Sequence, residues 1–123
     1  MEAEQFSIKA RVRSFKYAFD GLRSVFRRDH NIFLHLVATI AVIALSIWIN
    51  VTTAEALVLV FAIGFVWVAE LFNTAIEKIM DLISLQRHPH IKFIKDVSAA
   101  AVLIASITAA IAGCIIFIPK FMI

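Results

Sequence analysis

The chain has 123 residues, of which 62% are hydrophobic, and a formal net charge of +3. Its mean hydropathy of +0.91 lies far above that of a soluble domain, where apolar usage is nearer half. These figures exclude a soluble globule and indicate one integral membrane domain over residues 1–123. They also argue against a nucleic-acid partner, because the basic residues flank apolar runs and suit a membrane surface instead.

Residues 1–30 hold Lys9, Arg11, Arg13, Lys16, Arg23, Arg27 and Arg28, and no apolar stretch of the kind a cleavable signal needs. Ile8, Val12, Phe15, Phe19, Leu22 and Phe26 recur at steps of four and three among these charges. That spacing predicts an amphipathic helix lying in the membrane interface. Residues 32–49, "IFLHLVATIAVIALSIWI", follow with one ionisable side chain, His35, which reads as an interfacial hydrogen-bonding group rather than a metal ligand. A second membrane helix is expected over 54–85 and a third over 97–118, "VSAAAVLIASITAAIAGCIIFI". Each is long enough to cross about 30 Å of hydrocarbon at about 1.5 Å per residue. Continuous apolar runs without alternation point to helices and not to a barrel. Cys114 reads as a small core residue, and the alanines of the third span, with Gly113, fit close helix packing.

Positive charge is concentrated before the first span and around Arg87, Lys92 and Lys95 between the second and third. The first loop has none, and the tail has only Lys120. The positive-inside rule therefore places the N-terminus and second loop in the cytoplasm, with the first loop and C-terminus outside.

The second span ends in "ELFNTAIEKIMD", residues 70–81. Steps of three, seven and eleven from Glu70, at roughly 100° per residue, bring Asn73, Glu77 and Asp81 to nearly one helix face. Measured from Ala56, Glu70 falls about 21 Å along the axis, Glu77 about 32 Å and Asp81 about 38 Å. Glu70 is thus at lipid depth, where an ionisable group costs on the order of 2–3 kcal/mol and calls for a pairing or a task. A carboxylate there suits a general base for a membrane-buried alcohol. One at the boundary suits a hard cation such as Mg²⁺, with Asp29 and Asp96 in the same layer. Asp96 is expected at the N-terminal end of the third span, with Lys95, Arg87 and Lys92 nearby to meet phosphates. The stripe alone leaves three readings open: helix-to-helix contact, catalysis, or an ion or proton pathway in a non-enzymatic bundle. His88 and His90 flank a proline without a zinc-ligand spacing, and the three isolated glycines form no phosphate loop.

"ELFNTAIEKIMD" followed by "HPHIKFIKDVSAAAVLIA" resembles the signature of the small prokaryotic diacylglycerol kinase family. "GLR" at 21–23, "RDHNIFLH" at 28–35 and "IIFIPK" at 115–120 stay in register with it, from about residue 6 to the end. The resemblance implies an all-α membrane protein: an amphipathic surface helix and three spans per subunit, assembled as a homotrimer with composite sites at the cytoplasmic interface. It implies transfer of the γ-phosphate of MgATP to a lipid alcohol in a bacterial cytoplasmic membrane. Glu70 then matches the catalytic base and Asn73 its polar neighbour. Glu77 matches a metal ligand, and Lys95 with Asp96 the ATP-site pair, where Asp96 orients Lys95 or contacts the nucleotide. Tyr17 matches a nucleotide contact, and Gln86, Arg87 and His88 fall on the nucleotide-binding loop. Two positions depart from the pattern. Asp29 stands where the second metal ligand is usually Glu, and Ala10 stands where an arginine contacts ATP, leaving Arg11 as the substitute. Among acceptors, "HNIFLH" and "IIFIPK" look more like undecaprenol kinases than diacylglycerol kinases.

Overall fold

The computed structural model describes residues 5–123; the first four residues of the expected interfacial segment lie outside it. Four helices account for nearly all of the described chain: α1 (Ile8–Arg28), α2 (His30–Ile49), α3 (Thr53–Ile83) and α4 (Pro89–Phe121). No strand occurs among the described residues. The three apolar helices α2, α3 and α4 are each long and apolar enough to span a membrane. The chain packs as two compact units, one ending at Leu34 and the other running from His35 to Ile123.

The Ser7 side chain caps α1 by accepting from the Ala10 amide at 3.3 Å, and Arg27 and Arg28 occupy its last turn, where cations suit the helix dipole. The anticipated periodicity is realised, and Ile8, Val12, Phe15 and Phe19 are all exposed. An apolar row facing outward beside basic residues is the form of a helix that lies in a bilayer surface. Asp29 ends α1 and caps α2, its Oδ1 accepting from the Asn31 amide at 2.9 Å.

The turn between α2 and α3 is short because both of its ends are chemically closed. Asn50 adopts φ 58°, a left-handed conformation that Asn tolerates better than most residues. Its amide donates to Ile47 and the Val51 amide to Ser46, the paired bonds that complete a helix C-terminus. Thr52 then caps α3: its hydroxyl accepts from the Glu55 amide while the Glu55 carboxylate accepts from the Thr52 amide. Glu55 also pairs with Lys120 at 3.1 Å, joining the start of α3 to the end of α4.

The antiparallel α3 and α4 form the core with α2, where Leu59, Ile116 and Phe117 pack against Val42, Leu45, Ile49 and Val51. Large apolar side chains such as Phe61, Phe72, Leu103 and Ile115 face outward, as expected where the solvent is lipid. Cys114 is exposed, which corrects its reading as a core residue. In a membrane chain an apolar side chain does not need the interior, so a hydrophobic position carries no burial signal. Thr39, Ser46 and Thr108 return their hydroxyls to carbonyls one turn back, a local solution where water is scarce.

Four helix ends differ from the expected spans by one to three residues, and the start of α4 differs by eight. Helix α3 ends at Ile83 and not at 85. Helix α4 starts at Pro89, eight residues before the apolar run begins. His88 provides its N-cap, with Nδ1 accepting from the His90 amide, and Pro89 occupies the first turn, where a missing N–H costs nothing. Lys92, Lys95 and Asp96 are therefore on a helix. Asp96 lies two turns inside it, beyond the free terminal amides expected to attract this acid.

Candidate active site

The polar stripe of α3 faces inward. Glu70 is 3% exposed, and Asn73, Glu77 and Asp81 are half-buried on the same side. Burying a carboxylate requires a compensating partner. His35 on α2 supplies one, with Nε2 3.4 Å from Glu70 Oε2. One turn further along α3, Asn73 works in two directions. Its amide nitrogen donates to Glu77 Oε1 at 3.4 Å, and its carbonyl oxygen accepts from the Ser98 hydroxyl at 2.7 Å. Asn73 thus crosses to α4 while steadying the carboxylate of Glu77. Ser98 is buried, and nothing in the apolar run "VSAAAVLIA" marks it in advance, because its partner lies on another helix. Ser98→Ala is expected to cost about 1 kcal/mol, in the range of hydrogen bonds between membrane helices. A denaturant titration in micelles reads this as a lower unfolding midpoint; an unchanged midpoint would remove the bridge.

A third crossing corrects an expected pairing. Lys95 Nζ lies 2.6 Å from Asp81 Oδ1 on α3, whereas Asp96 is held by Lys92 one turn before it. Asp96 therefore does not orient Lys95; Asp81 does. The reason is helical geometry: neighbouring residues diverge by about 100°, while residues four apart share a face. The Lys92–Asp96 pair is largely exposed and contributes little to stability.

Beyond these crossings the α3–α4 connection opens a cleft of about 720 Å³, lined by residues 84–89 with Ile91, Lys92, Lys95 and Asp96. The volume suits a small organic ligand. Gln86, Arg87, His88, Lys95 and Asp96, expected around a nucleotide, all border it. Lys95 belongs to both neighbourhoods, since its amine meets the stripe through Asp81. Glu70, Asn73 and Glu77 lie along α3 from that pair, away from the cleft lining. Tyr17 and Arg11 are on α1, and both are exposed. Arg11 sits with its guanidinium 5.4 Å from the centre of the Phe6 ring. Six residues separate Arg11 from Tyr17, which puts them about 120° apart around the helix; Arg13, four residues before Tyr17, shares its face.

Among the described residues no three His, Cys, Asp or Glu side chains gather as a metal cluster. A Mg²⁺ that arrives with phosphates needs only one or two protein carboxylates. Glu77 fits that demand as a hard oxygen donor held by an amide rather than by a cation.

The all-helical membrane chain thus carries one buried carboxylate, Glu70, on α3 and a separate cleft with Arg87, Lys92 and Lys95 at the α3–α4 connection. The family model described as prokaryotic diacylglycerol kinase matches residues 16–117, and the chain belongs to that family. It is similar to the undecaprenol kinase of Bacillus subtilis (strain 168), at 34% identity over 108 residues, 88% of each chain. The diacylglycerol kinase of Escherichia coli (strain K12) is 29% identical over 110 residues, covering 89% of this chain and 90% of that one. The diacylglycerol kinase of Synechocystis sp. is 33% identical over 110 residues, and this chain spans 63% of its length. The protein is accordingly a lipid kinase, a phosphotransferase acting in a membrane. The non-enzymatic ion-pathway reading of the stripe is set aside.

Proposed function

We propose that the chain transfers the γ-phosphate of ATP to the hydroxyl of undecaprenol, giving undecaprenyl phosphate and ADP. The observation that carries this reading is Glu70, a carboxylate 3% exposed on a membrane-spanning helix, aligned with Asn73 and Glu77. The similarity to the undecaprenol kinase of Bacillus subtilis supports the choice of acceptor; diacylglycerol is the alternative that other relatives suggest.

In this reading the lipid oxygen attacks the γ-phosphorus, Glu70 takes the hydroxyl proton, and the bond from the γ-phosphorus to the ADP oxygen breaks. Asn73 keeps Glu77 in place. Lys95, set by Asp81, meets the negative charge that spreads over the phosphate oxygens. Gln86, Arg87, His88 and Asp96 hold the nucleotide with Tyr17 from α1, and Arg13 or Arg11 supplies the guanidinium that Ala10 lacks. Glu77 and Asp29 are the residues that would hold Mg²⁺, which when bound neutralises phosphate charge. The site faces the cytoplasm with the N-terminus, the C-terminus lies outside, and three copies assemble in a bacterial inner membrane.

The test offers γ-labelled ATP and Mg²⁺ to the purified chain in micelles, with undecaprenol and diacylglycerol in separate reactions. Label in undecaprenol is expected. Label in diacylglycerol alone would change the acceptor and keep the chemistry, whereas label in neither lipid would end this reading.

A further inference from the structure

We propose that His35 is a positioning residue for Glu70, presenting the carboxylate to the lipid hydroxyl; this rests on the reading of Glu70 as the base. Within residues 33–49 it is the one titratable side chain, and it is aimed at the most deeply buried carboxylate of the span. Its Nε2 lies 3.4 Å from Glu70 Oε2, with side chains 23% and 4% exposed.

Beside the imidazole, α2 and α3 are also tied together through the backbone carbonyl of His35. The Thr39 hydroxyl donates to the His35 carbonyl at 2.7 Å and accepts from the Trp67 indole nitrogen at 2.9 Å. Trp67 is three residues before Glu70 on α3, and its ring tilts against the imidazole at 59°, with centres 6.3 Å apart. Glu70, His35, Thr39 and Trp67 therefore close a circuit through the backbones of α2 and α3. A ring needed only to fill space would not place a nitrogen on the carboxylate, and a hydroxyl needed only to satisfy itself would not also anchor the indole. In this arrangement His35 acts on the reaction through Glu70, by setting where the carboxylate stands when the hydroxyl arrives. Displacing such a group by about 1 Å lowers turnover by up to about 100-fold.

The experiment compares the full-length chain with His35→Ala and His35→Gln in micelles, using the acceptor that the unmodified chain phosphorylates. His35→Ala is expected to lower kcat about 10- to 100-fold with the KM for ATP unchanged. His35→Gln, which keeps an N–H donor, restores most of the loss. Wild-type kcat in His35→Ala would overturn the proposal, as would equal losses in both variants with a raised KM for ATP. A second measurement does not require turnover: ¹⁵N spectra of histidine-labelled protein, with and without Glu70→Gln. The His35 ring-nitrogen signals move if the pair exists, and unmoved signals overturn it. Absence of turnover in the unmodified chain would instead count against the chemistry assigned to Glu70, so the two failures are read from different experiments.

Discussion

Glu70→Gln is expected to lower kcat by about two to four orders of magnitude, the range that a positioned general base contributes. The amide keeps the shape of the side chain and can still face His35 Nε2, so the space is filled as before. It also removes the cost of a charge at membrane depth, and the variant should unfold in micelles no more readily than the parent. Loss of turnover with retained stability is therefore the signature of the base. A Glu70→Gln protein with a tenth or more of parental kcat would show that the proton leaves by another route.

Lys95→Met is the second large effect, a loss of about 100- to 1000-fold in kcat/KM for ATP, the scale of removing one preorganised group from a developing charge. The observed partner makes this more specific. Because Lys95 meets Asp81 and not Asp96, Asp81→Asn should disturb the same step through the amine, and the double variant should lose little beyond Lys95→Met. Asp96→Asn combined with Lys95→Met should instead lose close to the product of the two single effects. Such a double-mutant cycle isolates the coupling. Additive losses for Lys95 and Asp81 would mean that the pair does not act as a unit.

The parts legible in the sequence were those written in one helix. The α1 pattern and the stripe from Glu70 to Asp81 repeat at 3.6 residues per turn, the three apolar runs show by length and hydropathy, and none of these needs a partner to be read. What escaped was information held between helices. His35 looked like an isolated histidine because Glu70 is 35 positions away, and Ser98 looked like one more small residue. Lys95 finds its partner on α3 and not in Asp96 beside it, because a helix sends sequence neighbours in different directions. The start of α4 was displaced because hydropathy marks where a helix enters lipid, whereas its first residue is set by a cap, here His88 and Pro89. The cleft was anticipated only as a set of residues, and its volume follows from the loop geometry.

Helices α3 and α4, at 31 and 33 residues, run to nearly 50 Å and overshoot a hydrocarbon layer of about 30 Å. If the tied ends near Glu55 and Lys120 sit at one boundary of the bilayer, the excess length emerges at the other end, where the stripe and cleft lie. Bilayer thickness then decides which residue of α3 stands at the water boundary. Glu70 and Glu77 are about 10 Å apart along the axis, a separation comparable to the depth over which lipid gives way to water. A bilayer a few ångströms too thick would draw Glu77 toward hydrocarbon, and one too thin would flood Glu70. The rate is therefore expected to peak at one acyl-chain length and fall on either side, measured in bilayers of graded thickness.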